Sequence, residues 1–248
     1  MKSNPSLLQQ HLEYLKLPFV QNHHGELAQQ AAQNQWDHVE YLRRIVEGEY
    51  HERRQRVIER RIKAARFPVI KTLEQFRWDW PKKINRMAVQ DLFRMEFLKE
   101  KSNVVLLGNV GLGKTHLATA LGYAACQQGA SVLFANAISV ITDLSAAQKR
   151  GLLKRQLKTY LRPELLALDE IGYLPIDQLG ADRLFQVISQ RYEQGSIVLT
   201  TNKPFKQWPS IFNNDSTIAS AVLDRLLHHA QTIVIEGSSY RMKDRENQ

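Results

Sequence analysis

The sequence has a single cysteine, Cys126, among its 248 residues. One cysteine excludes an internal disulfide and any metal site built from several thiolates. No apolar run approaches the length that crosses a membrane, and the amino-terminal residues lack the apolar segment and small-residue cleavage site of a signal peptide. We therefore expect a cytoplasmic protein that makes no membrane contact.

Histidine is present in two adjacent pairs, His23 with His24 and His228 with His229. Neither pair has the i, i+4 helical spacing and nearby carboxylates that together suggest zinc. The sequence predicts solvated or capping roles for both pairs.

Positive charge is in excess, with 34 lysines and arginines against 25 aspartates and glutamates and a net charge of +9. This balance favours a polyanionic partner, and nucleic acid before a membrane, although a basic surface without a partner is the alternative. The length suffices for one sizeable core and a smaller appendage. We expect two domains.

Residues 1–66 show apolar positions at helical spacing and no convincing strand. The last predicted helix runs into residues 53–66, where basic side chains greatly outnumber the single acid, Glu59. A solvated helical face explains part of this run, but its density favours sequence-independent contact with DNA phosphates. We predict a helical domain for DNA binding or oligomerisation, with candidate DNA contacts at Arg53, Arg54, Arg56, Arg60, Arg61 and Lys63.

Residues 67–83 are predicted to form a linker, since Phe67 and Pro68 end the helix and several aromatics follow. Those aromatics fit part of a nucleobase pocket or ordinary packing between domains. Residues 84–248 then alternate helices with apolar runs, as parallel strands covered on both faces require. The pattern predicts a three-layer α/β sandwich with a central parallel five-stranded sheet, its strands at 104–107, 131–135, 165–168, 197–200 and 232–235.

A glycine-rich loop at 108–115 follows the first of these strands and leads into a helix. Strand, loop GNVGLGKT and helix form a P-loop in its required context. Backbone N–H groups would surround phosphate oxygens, Lys114 would reach the β- and γ-phosphates, and Thr115 would hold Mg²⁺. The predicted contacts with ATP or GTP are Gly108, Asn109, Val110, Gly111, Leu112, Gly113, Lys114, Thr115 and His116.

Polar residues follow two of the other strands. Asp169 and Glu170 end the run at 165–168, and open α/β sheets bind ligands at this end of their strands. Asp169 would hold Mg²⁺, and Glu170 would orient and polarise the attacking water. Asn202, after the next run, would hydrogen-bond the γ-phosphate and that water, or else serve as a turn residue.

Arg225 lies on a helix predicted between residues 217 and 229, where the apolar positions point it away from the core. Such an arginine would enter the nucleotide site of a neighbouring subunit and stabilise transition-state charge. A salt bridge on the surface is the alternative.

With these features in this order, the chain resembles an AAA+ ATPase. It is more closely similar to the IstB transposition helpers, relatives of DnaC-type helicase loaders, in the strings GKTHLA at 113–118, LDEIGY at 168–173 and SYRMK at 239–243. The resemblance covers essentially the whole chain. It implies Walker A at 108–115, Walker B at Asp169 and Glu170, sensor 1 at Asn202 and an arginine finger at Arg225.

The resemblance also implies an ATPase whose Mg·ATP-bound subunits oligomerise, grip duplex DNA largely without reading sequence, bend or wrap it, and recruit a partner transposase. A second basic concentration, on the helix predicted between the second and third strands, would then line the DNA path or form an ordinary surface. Its candidate DNA contacts are Lys154, Arg155 and Lys158. A replicative helicase loader and a small-molecule P-loop kinase are the alternative functions.

Two departures from the family pattern are visible. Val110 stands where many AAA+ loops have proline, and a valine between glycines still permits the turn. The chain also ends soon after the fifth predicted strand, which leaves no room for the full helical lid of many relatives. Arg241 is a candidate to replace the arginine that the lid supplies, or else a solvated residue.

Overall fold

The structure is a computed structural model that describes residues 6–240. It divides into two compact units between residues 60 and 61. The first unit is helical and contains α1 (Leu7–Tyr14), α2 (Pro18–Gln33) and most of α3 (His38–Ala65). No helix among the described residues is long and apolar enough to cross a membrane.

Buried Glu49, on α3, connects this helix to α2. Its carboxylate oxygen Oε2 accepts the backbone N–H groups of Phe19, at 2.9 Å, and Val20, at 3.4 Å. These groups belong to the first turn of α2, where the helix offers them no carbonyl partner. The Phe19 ring fills the space that a Cβ at Gly48 would need, so α2 and α3 pack closely at this glycine.

The second unit alternates strands and helices. Its strands are β1 (Lys83–Ile84), β2 (Asn103–Gly108), β3 (Val132–Asn136), β4 (Leu165–Ile171), β5 (Ser196–Thr201) and β6 (Ala230–Glu236). Its α-helices are α4 (Arg86–Leu92), α5 (Glu96–Lys99), α6 (Lys114–Gln127), α7 (Ala137–Lys149), α8 (Leu153–Leu161), α9 (Gln178–Arg191) and α10 (Ser216–Leu227). A 3-10 helix spans Phe205–Ser210.

The strands form one sheet in the order β1-β6-β2-β5-β4-β3, in which every pairing except that of β1 with β6 is parallel. Successive strand residues face opposite sides. Val104 and Leu106 of β2 pack into a core with α4, α5 and α6, whereas Val105 packs into a second core with α7 to α10. The sheet is therefore covered by helices on both faces, and the predicted three-layer sandwich is confirmed.

Two details of the prediction are wrong. The sheet has six strands in the described residues, because the two-residue strand β1 pairs antiparallel with β6. A strand this short carries no apolar alternation that a sequence pattern can reveal. The single helix expected between the second and third strands is two helices, α7 and α8, separated at Gly151, which has a φ of 69°.

Candidate nucleotide site

The P-loop connects the end of β2 to the first residue of α6. Gly111 and Gly113 have φ angles of 79° and 84°, which residues with side chains rarely adopt, and a Cβ at Gly113 would meet the Phe76 ring. Lys114 is 5% exposed, and its Nζ donates a hydrogen bond of 2.7 Å to the carbonyl of Asn109. The loop thus curls around its own lysine at the positive end of a 14-residue helix.

Thr115 and Asp169 are in direct contact, although 54 residues separate them. The Thr115 hydroxyl lies 3.0 and 3.1 Å from the two carboxylate oxygens of Asp169. Thr200, on the neighbouring strand β5, donates a hydrogen bond of 2.6 Å to the same carboxylate. The result is a buried group of oxygen atoms beside the P-loop, the type of donor that Mg²⁺ prefers.

Glu170 has an unusual backbone conformation. Its φ is 64°, in a region that few residues other than glycine adopt, and the pairing of β4 with β5 is irregular between Leu168 and Ile171. Its N–H donates to the Thr200 hydroxyl, and its carboxylate Oε2 accepts a hydrogen bond of 2.6 Å from the side-chain amide of Asn136. These bonds tie the Glu170 backbone to β5 and its carboxylate to the end of β3.

Asn136 and Thr200 were not identified in the sequence. Each is a polar residue in a strand end, Asn136 as the last residue of β3 and Thr200 near the end of β5. Polar residues at the carboxyl ends of parallel strands are the signal that identified Asp169, and it would have identified these two as well.

Asn202 follows β5, the strand next to β4 in the sheet. Its Oδ1 is buried and has no hydrogen-bond partner within the described part of the chain. Because most buried polar side-chain atoms are paired, this acceptor at a strand end is available to a bound ligand or water.

A cavity of about 580 Å³ opens beside the P-loop. Its walls include P-loop residues together with residues of the predicted linker, such as Phe76 and Trp80, which belong to the second unit. The His116 ring packs edge-on against Phe76, and its Nε2 donates a 2.8 Å hydrogen bond to the Thr72 carbonyl. Burial lowers the pKa of His116, which favours the neutral ring that makes this bond. The cavity has the size of a small-ligand site.

Residues after β6 form another wall of this cavity. The Tyr240 N–H donates to the Gly111 carbonyl at 3.0 Å, and the indole N–H of Trp80 donates to the Ser238 carbonyl, also at 3.0 Å. The rings of Trp80 and Tyr240 pack edge to face. Trp80 and residues 238–240 therefore meet beside the P-loop. Arg241 lies outside the described residues.

Arg225 is not brought to the P-loop of its own chain. It lies near the end of α10, and the neighbouring Leu226 carbonyl accepts a hydrogen bond from the side chain of Asn103, the first residue of β2. The P-loop follows the other end of β2. The Arg225 guanidinium donates to the Ala221 carbonyl at 2.8 Å and lies 5.1 Å from the centre of the Phe185 ring.

The basic residues predicted in the first unit have different surroundings. The Arg56 guanidinium lies 3.4 Å from the buried Glu49 carboxylate, and Arg53 donates to the Lys16 carbonyl at 2.9 Å. Arg54 and Arg60 are exposed, although the Arg60 guanidinium bonds the Arg56 carbonyl. In the second unit, the part of α3 beyond residue 60 contains Arg61, half-buried, and Lys63, exposed.

Helix α8 presents a basic face. It buries Leu157 and Tyr160, so the predicted contacts Lys154, Arg155 and Lys158 all lie on its exposed side. These three residues and Arg162 line a second depression, of about 680 Å³.

A parallel sheet with helices on both faces, a P-loop, and acids at the end of a nearby strand define a nucleotide-binding protein of the P-loop class. A comparison with family models agrees, since the model of IstB-like ATP binding proteins matches residues 10–248. The chain therefore belongs to the IstB-like family.

Known relatives cover nearly the whole chain. It is 42% identical over 234 residues to a protein of Pseudomonas aeruginosa named as an ATP-binding protein of insertion sequence IS21, an alignment that spans 94% of this chain and 88% of the relative. It is 39% identical over 244 residues to the corresponding IS232 protein of Bacillus thuringiensis, with coverage of 98% and 97%.

Among solved structures, the DnaC helicase loader matches with a TM-score of 0.53 and 22% identity. The alignment covers 66% of this chain and 96% of the loader. At this level of identity, the likeness shows a shared fold.

Proposed function

We propose that this protein is an ATP-dependent, DNA-binding helper of transposition, which hydrolyses ATP to ADP and phosphate. The observation that carries the proposal is the contact between Thr115 and Asp169, which joins the P-loop to the acidic strand end. Membership of a family named for ATP binding, and relatives named for insertion sequences, support it.

Nucleotide binding is assigned to the P-loop and the cavity beside it. Residues Gly108 to His116 surround the phosphates, and Lys114 exchanges its bond with the Asn109 carbonyl for contacts with the β- and γ-phosphates. The nucleotide base occupies the part of the cavity lined by linker residues.

Magnesium fits the oxygen atoms of Thr115 and Asp169. The buried Asp169 carboxylate and the Thr115 hydroxyl are in contact beside the phosphate site. Mg²⁺ bound to a nucleotide usually takes only one or two ligands from the protein, and these two oxygen donors would suffice. When bound, the ion neutralises charge on the phosphate oxygens. Thr200 keeps the Asp169 carboxylate in place through its short hydrogen bond.

Hydrolysis is assigned to Glu170 and Asn202. The Glu170 carboxylate polarises the attacking water. The Oδ1 of Asn202 accepts a hydrogen bond from the same water. Asn136 bonds the Glu170 carboxylate and competes with water for it. A conformational change that breaks the hydrogen bond between Asn136 and Glu170 would therefore favour hydrolysis.

Oligomerisation is assigned to nucleotide sites completed by Arg225 of a neighbouring subunit. A side chain at the opposite edge of the sheet from its own P-loop is suited to act on another chain. ATP bound between subunits then favours the oligomer through its higher affinity for that state.

Duplex DNA is the proposed partner of the basic residues. The exposed face of α8 contributes Lys154, Arg155 and Lys158, and residues 1–66 contribute a further set, namely Arg53, Arg54, Arg56, Arg60, Arg61 and Lys63. Phosphate contacts from two regions of every subunit would let an oligomer bend or wrap the duplex with little sequence preference and then recruit the transposase.

Sedimentation of the full chain tests this proposal. We expect ATP to convert monomers into oligomers, ADP to reverse the change, and duplex DNA to strengthen it. Lys114→Ala should bind no nucleotide and remain monomeric, whereas the matched control Lys99→Ala, at an exposed lysine paired with Glu96, should behave as the wild type.

Monomers that ignore both nucleotide and duplex DNA would contradict the proposal. A pull-down against transposase and replicative helicase separates it from the helicase-loader alternative, because the loader would capture the helicase and prefer single strands.

A further inference from the structure

One group of metal-binding side chains lies away from the nucleotide site. Glu193, His228 and His229 place their ligand atoms within 4.8 Å of one another, and all three residues are exposed. Glu193 lies in the turn between α9 and β5, while His228 and His229 connect α10 to β6. The group is thus at the amino ends of the strands, the opposite edge from the P-loop, and Mg·ATP does not account for it.

We propose that Glu193, His228 and His229 form a binding site for a divalent transition-metal ion, with Zn²⁺ as the best match. Two imidazoles and one carboxylate are donors that zinc commonly combines, and three protein ligands leave one coordination position open. Glu193 is far from the histidines in the sequence, and the fold brings its carboxylate next to them.

Contacts around the histidines suit this role. Nδ1 of His228 lies 3.1 Å from the Tyr192 hydroxyl, and a ring that donates from Nδ1 leaves Nε2 free for a metal. His228 also caps the end of α10, where the helix dipole favours a cation. The nearby Arg225 guanidinium bonds the Ala221 carbonyl of its own helix and lies over Phe185.

The other histidine pair provides a matched control. Nδ1 of His23 and Nδ1 of His24 each lie 2.9 Å from a backbone carbonyl of α2, that of Phe19 and that of Val20. Within residues 6–240, this pair belongs to no group of three metal-binding side chains. Two adjacent histidines are therefore present in both places, but within residues 6–240 only His228 and His229 form such a group with a carboxylate.

Calorimetric titration of the metal-free full chain with Zn²⁺, in saturating Mg²⁺ and without nucleotide, tests the site. We expect the wild type and the control His23→Ala/His24→Ala to bind Zn²⁺ with equal affinity. His228→Ala/His229→Ala and Glu193→Gln should each bind at least about tenfold more weakly. Co²⁺ should give the visible spectrum of a four-coordinate site in the wild type and lose it in both site variants.

Circular dichroism of each variant checks that it is folded. Zinc affinity that is equal in the wild type and in both site variants would overturn the proposal, as would an equal loss in the control. Because no nucleotide is present, either result is independent of the ATPase function.

Discussion

The central sheet holds polar groups where its parallel strands end, called here the carboxyl edge, and where they begin, called the amino edge. The groups are held in different ways at the two edges. At the carboxyl edge, Thr115, Asp169 and Thr200 bond one another, so one chain assembles the arrangement by itself. At the amino edge, Arg225 folds back on its own helix, and Glu193, His228 and His229 face solvent. Groups that bond each other need no further chain, whereas in our proposals Arg225 acts on a neighbouring subunit and the group of Glu193, His228 and His229 binds an ion.

The largest predicted effect tests whether the amino edge acts on another chain. Arg225→Ala should slow ATP hydrolysis by about 10³-fold, the lower end for removal of such an arginine. ATP binding by the monomer should be unchanged, because Arg225 lies far from its own P-loop. Steady-state hydrolysis and nucleotide titration measure the two effects.

Mixing two inactive variants makes this test specific. Lys114→Ala has an intact Arg225, and Arg225→Ala has an intact P-loop, so mixed oligomers contain complete sites and should recover activity. Arg94→Ala, at an arginine whose side chain is 77% exposed, is the control and should be fully active. A mixture as inactive as its components would show that Arg225 does not complete a neighbour's site.

Within the carboxyl edge, Glu170→Gln should slow hydrolysis by about 10²-fold, a typical loss for a group that moves a proton. The amide has nearly the shape of the carboxylate, so ATP binding should persist and the oligomer should stay on DNA. Single-turnover hydrolysis and dissociation of labelled duplex DNA measure this. Normal hydrolysis by this variant would assign the activation of water to another residue.

The sequence predicted much of the fold, because β2 to β6 are apolar runs between helices and each carries its own signal. It could not predict β1, since two residues acquire strand geometry only by pairing with β6. The break between α7 and α8 at Gly151 was also missed, because an isolated glycine is tolerated within a helical pattern.

The residues of the candidate sites also divide into those that a local sequence motif predicts and those that only the fold brings together. The P-loop, Asp169 and Glu170 belong to local motifs, and the structure brings them together. Asn136 is a single polar residue whose partner, Glu170, lies 34 residues away, and Glu193 meets His228 only through the packing of α9 and α10. Such pairings depend on the strand order, which no local pattern encodes.

The smallest predicted effect concerns DNA binding by the two basic regions, one on α3 and one on α8. Arg53 and Arg56 contact Lys16 and Glu49 within their own unit, whereas Lys154, Arg155 and Lys158 lie on an exposed helix face. Lys154→Ala/Arg155→Ala/Lys158→Ala should therefore lower the salt dependence of DNA binding by about one unit of slope per residue without loss of stability.

Arg53→Ala/Arg56→Ala should lower that slope by less per residue replaced and should also destabilise the protein by about 1 kcal/mol, as expected for partly exposed ion pairs. Urea unfolding and DNA titration at several salt concentrations measure both quantities. An equal change in slope per residue replaced, together with equal stabilities, would contradict the distinction. Arginines that contact their own unit and basic side chains exposed on α8 would then contribute alike to DNA binding.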